Sequence, residues 1–313
     1  MHSPVIRGFR RFSRPEAEQP LRPETIARIA RLEVRAHGVV EGLLAGLHKS
    51  PFKGQSVEFL QHRPYVRGDD LRRMDWKVWA RQDRLSVKEY EEETSLRLTL
   101  LVDGSASMDY AAADRRPSKY QQASILAASL AWLALSHGDA AGCGVFDDRL
   151  RANVPARSRR SQLAEISAAL EAARNAGETD FPRVLRGLAE RLPRRGLVVI
   201  ISDLLGDRDG LLRGLRLLRQ RGHDLAVLHV LDDDELDFPF EGPTRFEGLE
   251  LPDQLACNPR GLRAGYLEAV GAFLADVRRR TASVRGDYEL IRASEPPAVP
   301  LMRFLARRMR LAV

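Results

Sequence analysis

Five oxygen-bearing side chains, in three separate stretches of the chain, could together bind a cation. They are Asp103, Ser105, Ser107, Thr179 and Asp203. Magnesium and manganese prefer oxygen ligands of this kind. Two carboxylates neutralise a dication, while neutral hydroxyls leave it able to accept an anionic oxygen from outside. The set therefore predicts a Mg²⁺ or Mn²⁺ site that an Asp or Glu of a protein partner would complete.

The predicted elements place these residues at one edge of a sheet. Strands are predicted at Leu96–Asp103, Ala140–Phe146, Leu150–Val154, Leu197–Ser202, Leu225–Leu231 and Tyr288–Arg292, and helices at about 119–136, 161–175, 181–192, 209–221, 262–281 and 298–310. Strands that alternate with helices indicate an α/β fold with a doubly wound, mainly parallel sheet, here with an edge strand at residues 150–154. Ligands of such folds bind beyond the carboxyl ends of the strands, which is where Asp103 and Asp203 lie.

Upstream of residue 96 the pattern is different. Residues 1–22 are a polar tail, and Pro23 begins a helix. Gly38, Gly42, Gly46 and Gly54 are expected to break up the stretch that follows this helix. Alternation around residues 85–89 indicates extended structure. We expect residues 23–95 to form an N-terminal helical and β extension packed on a main domain of residues 96–313.

Composition limits the classes of function. Two cysteines far apart in the sequence, Cys143 and Cys257, argue against a zinc or redox motif and suit the cytoplasm. No apolar run approaches the roughly 20 residues of a membrane span. The net charge of +7 leaves arginine-mediated nucleic-acid binding open, but the arginines are not interleaved with aromatic residues, so it ranks as an alternative.

The cation-binding set resembles a known site. Asp103-x-Ser105-x-Ser107, followed by Thr179 and Asp203, is similar to the metal-ion-dependent adhesion site of von Willebrand factor A domains. That resemblance, which extends to the strand-helix order of residues 96–292, implies a von Willebrand factor A-like, Rossmann-type fold with an antiparallel edge strand. It also implies that Ser105, Ser107 and Thr179 are direct or near-direct ligands, while Asp103 and Asp203 act through water or hold the other ligands in place.

A second resemblance covers roughly residues 25–235. The motifs that carry it, in order, are His48-Lys-Ser-Pro-Phe-Lys-Gly-Gln-Ser-Val-Glu-Phe59, Arg63-Pro-Tyr-Val-Arg-Gly-Asp-Asp-Leu-Arg72, Asp75-Trp76-Lys77 and Glu91-Glu-Glu-Thr94. They resemble the bacterial domain-of-unknown-function-58 family, DUF58. The resemblance implies an adaptor or co-chaperone that acts with a MoxR-type AAA+ ATPase, or with that ATPase's client.

Other interpretations stay open at this point. Each loop has an ordinary explanation, because Asp, Gly and Ser form turns and Thr179 or Asp180 could cap the next helix. A metal-dependent hydrolase could use the same ion, although no nucleophile-base pair, phosphate-binding loop or general base is evident. Asp139, Asp147 and Asp148 could form a second carboxylate cluster or serve as turn residues. The acidic segment 232–237 is either a solvated loop or part of the same rim.

Overall fold

The computed structural model describes residues 23–44, 57–64, 86–92, 96–111, 117–173, 177–193, 195–250 and 254–311. The chain divides into two compact units, one of residues 1–51 with 97–313 and one of residues 52–96. The polar tail predicted for residues 1–22 lies outside the described residues, and the predicted boundary between an extension and a main domain stays a prediction.

The larger unit is built on a six-stranded sheet. Its strands are β3 (Arg97–Asp103), β4 (Ala140–Phe146), β5 (Leu150–Arg157), β6 (Gly196–Ser202), β7 (His223–Leu231) and β10 (Asp287–Arg292). The strand order is β10-β7-β6-β3-β4-β5, and every neighbouring pair is parallel except β4 and β5. The predicted doubly wound, mainly parallel sheet with an antiparallel edge strand is thus confirmed.

Helices follow the strands in the order that the sequence predicts. They are α1 (Pro23–Leu44), α2 (Lys119–Ser136), α3 (Gln162–Ala172), α4 (Phe181–Arg191), α5 (Arg208–Gln220), α6 (Asp233–Asp237), α7 (Pro259–Ser283) and α8 (Ala298–Leu311). A 3₁₀ turn spans Ala106–Asp109. Two antiparallel pairs complete the described elements: β8 (Thr244–Glu247) with β9 (Gln254–Cys257), and, in the smaller unit, β1 (Val57–Pro64) with β2 (Ser86–Glu92).

The centre of the sheet is covered on both faces. Strand β3 is buried from Leu98 to Asp103, as its unbroken apolar run predicts. Helix α2 has few polar positions and is buried along almost its whole length. At Gly142 of β4, a Cβ atom would lie 2.5 Å from the backbone nitrogen of Ala156, so only glycine lets β5 approach so closely. This packing fixes the strand ends, and with them the loops that carry the predicted site.

Helix α1 continues through Gly38 and Gly42 to Leu44, so the prediction that these two glycines belong to a broken stretch after the helix is wrong. Leu32, Ala36 and Val40 are buried on the same face of α1, and packing against α2 and α3 offsets the weak helix propensity of glycine.

The stretch after β7, for which no element was predicted, contains α6 and the β8–β9 pair. Cys143 and Cys257 are free thiols, as expected.

Candidate functional site

Asp103 lies at the carboxyl end of the central strand, where its side chain is fully buried. The Gly104 amide extends the pairing of β3 with β4 by donating to the Phe146 carbonyl at 2.6 Å. The Ser105 amide donates to Asp103 Oδ1 at 2.9 Å. The turn that Asp-Gly-Ser residues favour is therefore present, and it points the Asp103 carboxylate into the protein.

Hydroxyl groups from two other loops converge on this carboxylate. Thr179 Oγ1 lies 3.1 Å from both carboxylate oxygens of Asp103. Ser202 Oγ donates to Asp103 Oδ2 at 2.6 Å. The loops are also joined through the backbone, since the Ala106 amide donates to the Gly177 carbonyl at 3.1 Å. Asp180, rather than Thr179, caps helix α4, so Thr179 is left to contact Asp103.

The two serines of the first loop complete the cluster. Ser105 and Ser107 are fully buried, and their hydroxyl oxygens lie 3.0 Å apart. A hydroxyl that donates one hydrogen bond still has lone pairs to offer to a cation. The structure thus brings together Asp103, Ser105, Ser107 and Thr179, and adds Ser202, which the sequence interpretation did not select. Its position directly before Asp203 at the end of a buried strand was the available signal.

The electrostatic environment of Asp103 favours added positive charge. Burial, reinforced by the negative charge of Asp203, raises the pKa of Asp103 to about 6, although hydrogen bonds from Ser202 and Ser105 oppose the shift. A buried carboxylate whose ionised form is this costly gains from any cation that reaches it. The cluster of Asp103, Ser105, Ser107 and Thr179 is therefore a site at which a bound cation would offset the unfavourable negative charge of Asp103.

Asp203, the fifth predicted residue, lies at the end of β6 but makes a different kind of contact. Its Oδ1 accepts the Leu205 amide at 3.2 Å, and its Oδ2 accepts the ammonium group of Lys119 at 2.7 Å. The backbone turns directly after it, with Leu204 in the left-handed region at φ 55°. Both oxygens of Asp203 already have partners within the protein, and one of those partners is a cation.

Lys119 is the main feature of the site that sequence interpretation missed. It is the first residue of α2 and is completely buried, and its Nζ also lies 2.6 Å from Glu235 Oε1. Burial alone would lower the pKa of Lys119, but the charges of Asp203 and Glu235 outweigh burial and raise it, so the ammonium stays protonated. A lone charged residue that opens a nearly apolar helix was the signal in the sequence.

The acidic segment 232–237 forms α6 and lies at the same rim, which answers the question that the sequence left open. Besides the contact of Glu235 with Lys119, the Tyr110 hydroxyl donates to Asp234 Oδ2 at 3.0 Å. Asp233 and Asp237 pair with Arg292. The segment is therefore held by specific contacts and is not a freely solvated loop.

His229 supports the backbone of Asp203 from inside the sheet. Its Nε2 lies 2.9 Å from the Asp203 carbonyl oxygen, and its Nδ1 lies 2.9 Å from the Tyr288 hydroxyl. Burial lowers the pKa of His229 to about 4, so the ring is neutral at physiological pH. With both ring nitrogens engaged, His229 has a structural role.

The second carboxylate group considered from the sequence does not form a cation site. Asp147 and Asp148 are both bound by Arg151, which supplies their counter-charge. Within the described ranges, no group of three or more His, Cys, Asp or Glu side chains could hold a metal ion. A metal in this part of the chain would thus depend on hydroxyl oxygens. The carboxylate of Asp103 and the hydroxyls of Ser105, Ser107 and Thr179 are hard oxygen ligands, which suit Mg²⁺ or Mn²⁺.

Comparisons with known proteins agree with the motifs in the sequence. Residues 61–272 match the family model of DUF58, described as a protein of unknown function. Uncharacterized proteins of Mycobacterium bovis and Mycobacterium tuberculosis are 29% identical over 296 residues, which cover 93% of this chain and 92% of each relative.

Among solved structures, the chain is similar to BatB of Bacteroides thetaiotaomicron, at a TM-score of 0.45 and 15% identity over 69% of this chain and 99% of that one. It is also similar to the SpRpn10 VWA domain, at a TM-score of 0.39 and 12% identity over 66% of this chain and 94% of that one. In the part of the chain that the structure describes, no helix is both long and apolar enough to span a lipid bilayer.

Proposed function

The chain belongs to the DUF58 family, and from that premise we propose that it is a protein-interaction module whose recognition site depends on Mg²⁺ or Mn²⁺. Asp103, Ser105, Ser107 and Thr179 would hold the ion, with Asp203 acting from outside the ligand set. The bound ion would supply a Lewis-acidic centre for a carboxylate of the partner. The observation that carries the proposal is the position of Thr179 Oγ1, 3.1 Å from both oxygens of Asp103.

The side chains around the cluster favour recognition over hydrolysis. Hydrolysis of a bound substrate would need a general base within hydrogen-bond reach of the attacking water. Lys119 is protonated, and both ring nitrogens of His229 are engaged. Lys119 and His229 are thus committed to structural contacts, and neither is placed to act as that base.

Several arginines of the described surface are paired with carboxylates of the same chain. Arg213 and Arg219 of α5 pair with Asp207 and Asp224, and Arg280 of α7 pairs with Asp209. Arginines neutralised in this way offer less charge to a phosphate backbone than the composition implies. The net positive charge therefore gives little support to nucleic-acid binding.

The partner that the family resemblance favours is a MoxR-type AAA+ ATPase or its client. The full chain would be titrated with such an ATPase from the same organism in Mg²⁺, in Mn²⁺ and in EDTA. We expect binding that needs the metal and that falls at least about thirtyfold in Ser105→Ala, the loss typical when one side of a charged contact is truncated. The matched surface variant Arg216→Ala should bind normally. Binding that persists in EDTA and tolerates Ser105→Ala would contradict the proposal.

A further inference from the structure

Lys119 has a place in the site that the recognition function does not explain. Its ammonium nitrogen lies between two carboxylates, 2.7 Å from Asp203 Oδ2 and 2.6 Å from Glu235 Oε1. Fully buried lysines are rare in proteins unless they are paired, because removing the charge from water is costly. The lysine is also fixed through its backbone, since its amide donates to the Tyr110 carbonyl at 3.1 Å.

The start of helix α2 prevents this lysine from moving away. Ser118 and Gln121 form a capping box, in which the Ser118 hydroxyl accepts the Gln121 amide at 3.2 Å and the Gln121 side chain accepts the Ser118 amide at 3.2 Å. The cap fixes the first turn of α2, and Lys119 extends from that turn. The ammonium is thus a permanent part of the site and not a flexible surface charge.

An ammonium and a hydroxyl have opposite consequences for a bound cation. Thr179 and Ser202 donate to Asp103 but keep lone pairs that a cation could use, whereas an ammonium group has three donors and no acceptor. Lys119 can therefore only compete with a dication for Asp203 and repel it. Glu235 draws part of that positive charge away from Asp203 and so opposes the effect.

From this arrangement we infer that Lys119 is a positioning residue that holds Asp203 out of the ligand set and weakens the binding of a divalent cation, with Glu235 as its counterweight. The inference rests on the proposed function, because it concerns the same cation site. A weakened site would hold its ion firmly only when a partner's carboxylate adds the missing negative charge. The lysine would thus make metal binding and partner binding depend on each other.

The two residues predict changes of opposite sign. Lys119→Met removes the repelling charge and frees Asp203, so the affinity for Mg²⁺ or Mn²⁺ should rise by about tenfold or more. Glu235→Gln leaves the ammonium entirely to Asp203 and removes one negative charge, so the affinity should fall by about tenfold. A lysine with a purely structural role would give weaker binding, or no change, in both variants.

The experiment is calorimetric titration of the full chain and its variants with MgCl₂ and with MnCl₂, with circular dichroism to confirm folding. Matched controls come from the opposite end of the sheet, where Arg219 pairs with Asp224 at 2.6 Å. Arg219→Met and Asp224→Asn change the net charge by the same amounts as Lys119→Met and Glu235→Gln, and neither should change the affinity. If Lys119→Met does not fold, Lys119→Met/Glu235→Gln takes its place and should bind more tightly than Glu235→Gln alone.

The outcomes separate this inference from the proposed function. Opposite changes in affinity support both. Metal binding by Lys119→Met but not by the isolated wild-type chain supports the inference, and the metal dependence of partner binding then decides the proposed function. If the wild-type chain binds the cation and both variants bind it with the same or with lower affinity, the inference is overturned and the proposed function is not. A failure of both the wild-type chain and the lysine variant to bind either ion overturns both.

Discussion

The ends of two adjacent strands each carry a buried aspartate, and the two are stabilised in different ways. Asp103, after β3, is held by the hydroxyls of Thr179 and Ser202. Asp203, after β6, is held by the ammonium of Lys119. Hydroxyls leave the first carboxylate open to a cation, whereas the ammonium already neutralises the second. Two identical side chains at the ends of neighbouring strands therefore have different chemistry, which their neighbours determine.

The largest expected difference between the two strand ends is in stability. Lys119→Met leaves the buried Asp203 and the partly buried Glu235 without their counter-charge. Loss of one partner of a buried ion pair typically costs about 3–5 kcal/mol. The free energy of unfolding in urea, measured in EDTA, would show the loss. Restoring the charge with Lys119→Arg should recover part of the stability. A loss below about 1 kcal/mol would mean that the ion pair at the Asp203 end is unimportant for folding.

The two ends should also respond to pH with opposite sign. At the Asp203 end, His229 has its pKa lowered to about 4, so the folded state binds fewer protons than the unfolded chain. Its stabilising contribution is complete above pH 6.5 and is lost as the pH falls towards 4. At about 1.36 kcal/mol per pH unit, this loss amounts to about 3 kcal/mol.

Asp103 gives the reverse trend, because its pKa is raised to about 6 in the folded state. The cost of its buried charge disappears as the pH falls from 6 to about 4, a gain of about 3 kcal/mol that offsets the loss from His229. Unfolding at pH 6.5, 5.5 and 4.5 in EDTA would be compared between variants. Relative to wild type, His229→Gln should become more stable towards low pH and Asp103→Asn less stable. Parallel profiles for the two variants would contradict the assignment.

A smaller effect is expected from the hydroxyls around Asp103. Thr179→Val removes one donor to a buried carboxylate and should cost about 2 kcal/mol, within the range for hydrogen bonds to charged groups. Thr179→Ser keeps the hydroxyl and serves as the matched control, with a much smaller change in unfolding free energy. Equal destabilisation by the two variants would indicate that Thr179 acts through packing and that its hydrogen bond to Asp103 contributes little.

The sequence predicted the strands and helices of the sheet closely, because long apolar runs and amphipathic periods repeat there. The buried run of β3 and the helix at residues 119–136 were recognisable from composition alone. The pair β8–β9 was not predicted, because its strands are four residues each and carry no clear alternation. Continuity of α1 through Gly38 was missed because burial against α2 and α3, which outweighs glycine propensity, is a tertiary effect.

The site was predictable where its residues form a motif and not where they form a long-range pair. Asp103, Ser105 and Thr179 were identified by spacing and by their position beside predicted strands. Lys119 and Glu235 are 116 positions apart, and no motif in the sequence connects the lone lysine of α2 with the acidic segment 232–237. Their meeting depends on where α2 begins relative to the end of β7, which only the packed sheet determines. The sequence therefore predicted the oxygen ligands but not the charge that opposes a metal.

The smallest predicted effect tests the Asp103 end directly, through stabilisation by the metal. At ten times the dissociation constant, a bound ion stabilises the folded chain by about 1.4 kcal/mol, which raises the melting temperature by roughly 2–4 °C in a domain of this size. Mg²⁺ should produce this shift in the wild-type chain and in Thr179→Ser, but not in Asp103→Ala, Ser105→Ala or Thr179→Val.

Lys119→Met gives this last measurement its power to discriminate between the two ends. Its melting temperature without metal should be the lowest of the set, because the buried ion pair is broken, yet its rise with Mg²⁺ should be at least as large as that of the wild type. The Asp103 variants should show the reverse combination, with higher melting temperatures and no response to metal. If every variant instead loses stability and its response to metal together, the two strand ends act as a single site. The difference between Asp103, bound by hydroxyls, and Asp203, bound by an ammonium group, would then have no functional meaning.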